Sequence, residues 1–151
     1  MPIRTLRDEF ALPVSARAVF DHVRDPQSYV GLSPLVIAVS DIEPIAGGFR
    51  YRAVERVPIF AGWTFDNPLR VTLLGDAAGD GSFLVHGEVQ SKGAIHVDYR
   101  YEIAPDGPGC RVVDVVRLRT PWGLAGFAAS RARAVQLARP GVLARRLAAA
   151  G

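Results

Sequence analysis

Cysteine and lysine are almost missing from this chain of 151 residues: each occurs once, as Cys110 and Lys92. One cysteine excludes an internal disulfide and a cysteine-ligated zinc cluster. With Arg111 as its one basic neighbour, Cys110 reads as a bystander thiol. Lys92 is one of 18 basic residues, so the other 17 are arginines, scattered along the chain without interleaved aromatics. The net charge of +3 and isoelectric point near 9.5 therefore reflect an arginine-rich composition, and nucleic acid is not expected as a partner. No run approaches the roughly 18 apolar residues of a membrane span. The opening Met-Pro-Ile-Arg-Thr-Leu-Arg-Asp-Glu-Phe has no apolar signal-peptide core, so a cytoplasmic protein is expected. The three histidines, His22, His86 and His96, have no carboxylate or cysteine at ligand spacing, and no metal is expected. A Gly-x-Ser-x-Gly elbow and a phosphate-cradling glycine loop are both missing, and no cofactor is expected.

What is present is 49% hydrophobic residues, enough for one domain spanning residues 1–151. Ile3 to Leu12 reads as an opening strand. Ser15 caps a helix from Ala16 to Arg24 that stops at Asp25-Pro26, and Gln27 to Gly31 forms a second short helix. From Leu35 the pattern is alternating. Strands are predicted over Leu35 to Pro44, Phe49 to Pro58, Phe60 to about Leu74 with a break at Asn67-Pro68, Ser82 to Val89, Ile95 to Ile103, and Cys110 to Arg119. Pro105 to Gly109 reads as a loop.

The last helix is expected from Pro121, capped by Thr120, to about Arg139, with Pro140-Gly141 breaking it and leaving Val142 to Ala150 as an extension. Its inward face reads as Leu124, Phe127, Ala128, Ala132 and Val135, with Arg131, Arg133 and Arg139 heading for water. Such small residues either leave room for a ligand or require the sheet to supply the missing bulk.

The segment Phe10-Ala-Leu-Pro-Val-Ser-Ala-Arg-Ala-Val-Phe-Asp-His-Val-Arg-Asp-Pro-Gln-Ser-Tyr29, with Gly48-Phe-Arg-Tyr-Arg and Gly62-Trp-Thr-Phe, resembles the SRPBCC or START-like superfamily, which includes polyketide cyclases and dehydrases. The resemblance covers nearly the whole chain. It implies an α+β helix-grip fold: a seven-stranded curved antiparallel sheet around a long C-terminal helix, with two short helices between strands 1 and 2. It also implies a deep, mostly apolar cavity between sheet and helix, and it transfers no catalytic residue.

Two carboxylates fall on inward strand faces, Glu55 and Asp114. Each is a candidate general acid or base, or is simply paired or wet, Asp114 for instance through a tyrosine hydroxyl. Tyr51, Tyr99, Tyr101 and Trp63 also read as inward, and with Phe65, Val116 and Phe127 they make the expected ligand-binding set, unless they are core filling. The favoured expectation is a protein holding a polycyclic, polyketide or lipid-like molecule. The alternative is a cyclase or dehydratase using Glu55 or Asp114. A third reading docks Arg139, Arg145 and Arg146 on an acidic partner or membrane surface. A homodimer is compatible with all three.

Overall fold

A computed structural model describes residues 2–91 and 95–150, with side chains up to residue 148. Strand β1 (Ile3–Leu12) is followed by helix α1 (Ala16–Val23), a 3-10 turn (Pro26–Ser28) and the single turn α2 (Tyr29–Leu32). Six strands follow: β2 (Val36–Ile45), β3 (Gly48–Pro58), β4 (Thr64–Ala77), β5 (Phe83–Ser91), β6 (His96–Asp106) and β7 (Gly109–Arg119). Helix α3 (Ala125–Ala150) closes the chain. The strands form one antiparallel sheet in the order β1-β7-β6-β5-β4-β3-β2, the curved seven-stranded arrangement expected. Successive strands are neighbours because short turns allow little else, and β1 is carried to the far edge beside β7.

Local chemistry accounts for the element ends. The Ser15 side chain accepts from the Ala18 amide at 3.1 Å and caps α1. The Asp25 carboxylate does the same for the Gln27 amide at 3.0 Å. Gly31 has φ of 84°, and a Cβ there would stand 2.9 Å from Arg146 Nη2, so glycine is required where α3 meets this turn.

Three expectations need correction. β4 runs through Asn67-Pro68 without a break, because Pro68 faces Val54 in a register that continues on both sides. Pro105 and Asp106 are paired with Cys110 and Gly109 rather than looped, leaving a two-residue turn. α3 starts at Ala125 rather than Pro121, and Pro140 does not end it.

The core divides. A large cluster joins α1, α2 and the far half of α3 to the sheet, including Val19, Phe20, Leu32, Tyr51, Leu73, Ile103 and Leu143. A small one, Val116, Leu118 and Ala129, lies under the near half of α3. α3 packs on β1 and β7, and the space between it and β3–β5 is where the site forms.

Candidate functional site

Between the two clusters lies a pocket of about 150 Å³. From the sheet it is lined by Tyr51, Ala53 and Glu55 of β3, Leu69 and Val71 of β4, Val97, Tyr99 and Tyr101 of β6, and Val116 and Leu118 of β7. Strand alternation put these residues on one face. α3 contributes Ala128, Arg131, Ala132, Val135 and Arg139, a stripe at helical spacing. Ala128 and Ala132 leave the space that larger side chains would fill. The inner end, around Tyr29, Tyr51, Tyr101 and Arg139, is buried, whereas Glu55, Ser91, Ile95 and Arg131 at the other end are partly exposed. The mouth is therefore at the end of the sheet where β3 and β7 finish.

At the inner end the fully buried Asp114 carboxylate accepts from Arg139 Nη1. Asp114 does not line the pocket; Arg139 does. Burial pushes the Asp114 carboxyl above its ordinary range, against the pull of Arg139 and of Gln136. Burial alone would lower the Arg139 pKa, but Tyr101, Asp114 and Tyr29 together outweigh it and hold the guanidinium charged. Arg139 Nε and Asp114 Oδ1 have no hydrogen-bond partner among the described residues. The Arg139 guanidinium also lies 5.0 Å over the Tyr101 ring.

The tyrosines differ in what their hydroxyls do. Tyr29 donates to the Val23 carbonyl at 2.6 Å. Tyr99 donates to the Thr72 carbonyl at 2.8 Å, its ring passing over Gly87, where a Cβ would meet the Tyr99 hydroxyl at 2.7 Å. Burial pushes the Tyr101 hydroxyl up to about 12, against the pull of the Arg139 charge. Tyr51 is raised by burial too, and its hydroxyl has no partner among the described residues.

At the mouth, Arg131 Nη2 stands 3.5 Å from Glu55 Oε1, joining α3 to β3 across the opening.

Of the residues anticipated, Glu55, Tyr51, Tyr99, Tyr101 and Val116 line this pocket. Trp63, Phe65 and Phe127 do not: they are 70%, 46% and 54% exposed. Phe65 keeps the alternation of its strand, but among the described residues β4 pairs with β5 from Leu69 onward, and the β3–β4 hairpin runs past that point with Phe65 exposed. Phe127 lies a residue away from the Ala128 stripe. Arg139 was expected in water and is buried, which removes it from any docking surface. Arg146 likewise turns inward, donating to Ser28 O at 2.6 Å and Val30 O at 2.7 Å. Sequence reasoning also missed Gln136, fully buried, which donates to the Asp114 carbonyl at 2.9 Å and fixes α3 on β7. The seven-residue spacing of Ala129, Gln136 and Leu143 was the available signal.

Outside the pocket, the β5–β6 register brings donor atoms of Glu88, His96 and Asp98 within 4.8 Å of one another, a juxtaposition linear spacing did not anticipate. Arg117 and Arg119 lie opposite Asp98 and His96 in the register, and the group carries no functional assignment.

No protein-family model and no curated protein matches the chain. Solved structures do. A START superfamily protein from Mycobacterium smegmatis superposes with a TM-score of 0.77 at 12% identity, covering 97% of this chain and 99% of that one. The chain has the START-like helix-grip fold. The Zhui aromatase/cyclase from Streptomyces sp. R1128 matches at 0.66 and 16% identity over 99% of both chains. A STAR-related lipid transfer protein from Xanthomonas axonopodis matches at 0.56 and 21% identity, over 78% of this chain and 70% of that one. At these identities the START-like likeness establishes the fold and leaves the chemistry to the pocket itself.

Proposed function

We propose that the chain binds a small apolar molecule carrying one oxygen-centred polar group, seated in the pocket with that oxygen toward Tyr51 and Arg139. The observation that carries this reading is an unpartnered Arg139 Nε–H at the buried end of a mostly apolar, tyrosine-lined pocket. Buried donors in folded proteins are nearly always satisfied, and a ligand oxygen would satisfy this one if the covered Nε turned toward the pocket that Arg139 lines. The similarity to a lipid transfer protein and an aromatase/cyclase supports the apolar half of the reading. At about 150 Å³ the pocket matches a compound of about one ring, such as benzene in an engineered cavity of that size. A polycyclic, polyketide or lipid-like ligand requires α3 to move away from β3, parting Arg131 from Glu55. The cyclase reading rests on two carboxylates, of which only Glu55 reaches the pocket, because Asp114 is engaged by Arg139. Binding is therefore the reading taken.

Titration calorimetry or NMR with acetophenone and ethylbenzene tests it, since the two share a shape and differ in a carbonyl. Both should bind, acetophenone roughly threefold to tenfold more tightly, as one net hydrogen bond predicts. Ala53→Phe, which fills the pocket, should abolish both while the protein stays folded. If folded wild-type protein binds neither, the reading is wrong.

A further inference from the structure

The pocket mouth is surrounded by side chains that a protein living wholly in water would bury. The turn between β3 and β4 holds Ile59, Phe60 and Trp63, with Phe65 just beyond; Phe60 is 72% exposed. The segment leading into α3 adds Trp122, 83% exposed, and the first turn of α3 adds Phe127. Topology places both at one end of the sheet. β3 finishes and β4 begins there, and β7 finishes there beside the start of β1. This is also the end at which Glu55, Ser91, Ile95 and Arg131 open the pocket. The apolar groups are held out by ordered backbone, not by a collapsed loop: the Ile59 amide donates to Trp63 O at 2.9 Å, and the Trp63 amide donates to Phe60 O at 2.8 Å. Ala61, Gly62 and Gly123 all take positive φ to make these turns.

Charge distinguishes among coverings for such a patch. No acidic residue lies between Glu55 and Asp66, and none follows Asp114 to the end of the chain. Arg4 and Arg119, at the same end, have no acidic partner among the described residues. Exposed tryptophan and phenylalanine rimmed by unpaired arginine suit the boundary of an anionic bilayer, where aromatic rings sit among headgroups and guanidinium groups meet phosphate.

We propose that this rim docks the protein on an anionic lipid surface with the pocket mouth facing the membrane, so that an apolar ligand passes between bilayer and pocket without crossing water. The surface is independent of the ligand's identity.

Both tryptophans of the chain lie on the rim, so intrinsic tryptophan emission reports on it alone. Full-length protein should shift its emission to the blue and co-sediment with vesicles of phosphatidylcholine containing about one third phosphatidylglycerol. It should bind more weakly to pure phosphatidylcholine and at high salt. Phe60→Ser combined with Trp122→Ser, both far from the core, should weaken binding by roughly tenfold or more, with circular dichroism unchanged. Absence of a shift with either vesicle would refute the proposal, as would wild-type affinity in the double variant. A blue shift on concentrating the protein alone, accompanied by dimers in sedimentation velocity, would assign the rim to a second copy of the chain instead.

Discussion

Asp114 and Arg139 carry opposite charges where water is excluded, and each is tolerable there only because of the other. Asp114→Asn leaves a buried guanidinium without its counter-charge and should cost about 3–5 kcal/mol in urea unfolding. Asp114→Leu combined with Arg139→Met should recover most of that loss; if the double variant is as unstable as the single, the pair is not the source. His22 offers a pH-dependent counterpart. It is half-buried, and its Nε2 stands 3.2 Å from Arg146 Nη1, which donates to it. Burial first, and then the Arg146 charge, hold its pKa below the ordinary 6.5. The unfolded chain therefore binds this proton more readily than the folded one. The stability His22 contributes is present above pH 6.5 and is lost as the pH falls through and below that value. His22→Gln should flatten the drop in melting temperature between neutral and mildly acidic solution, and an unchanged drop would exclude this role. Asp114 was legible in the sequence because strand alternation fixes which side of a sheet a residue faces. Arg139 was not, because an arginine reads as exposed until a buried carboxylate on another element is known to meet it.

Helix α3 decides how the pocket opens and how well the chain holds together. Pro140 lacks the amide that would bond the Gln136 carbonyl, yet the helix continues because Leu143 and Leu147 are buried beyond it and Arg146 ties it to the α2 turn. Pro140→Ala restores a bond and should raise stability by about 2 kcal/mol, the helical gain less the extra freedom of the unfolded chain. Thermal unfolding followed by circular dichroism checks this. The Arg131–Glu55 contact is the only ion pair among the described residues that joins α3 to β3. Glu55→Gln should therefore increase the rates of ligand entry and release together, with a much smaller change in affinity, by stopped-flow fluorescence. A change in affinity with unchanged rates would mean that the pair holds ligand and does not close the mouth. All seven strands were legible, since a period of two is hard to mistake, but the ends of β4 and the far end of β6 were misplaced by three or four residues. The helix was misplaced at both ends: Ala, Gly and Arg on every side give weak periodicity, and tertiary packing overrides a proline that would stop an isolated helix.

At the scale of the molecule, a sheet longer than its helical cover leaves one end closed by tyrosines and the other ringed by exposed aromatics. Filling the pocket and stripping the rim should separate the two functions: Ala53→Phe is expected to lose ligand and keep vesicle binding, while the rim variant keeps acetophenone. Loss of both in either variant would show that one surface serves both. No helix among the described residues is long and apolar enough to cross a membrane. By itself the sequence determined the order of elements, the inward face of each strand and the narrowness of the helix residues over the pocket, because these follow from local periodicity and side-chain size. Only the tertiary structure decided which arginines turn inward, that the β3–β4 hairpin outruns its neighbours, and where the mouth lies. Those depend on register and on contacts between residues from about 20 to more than 100 positions apart, which no local pattern encodes.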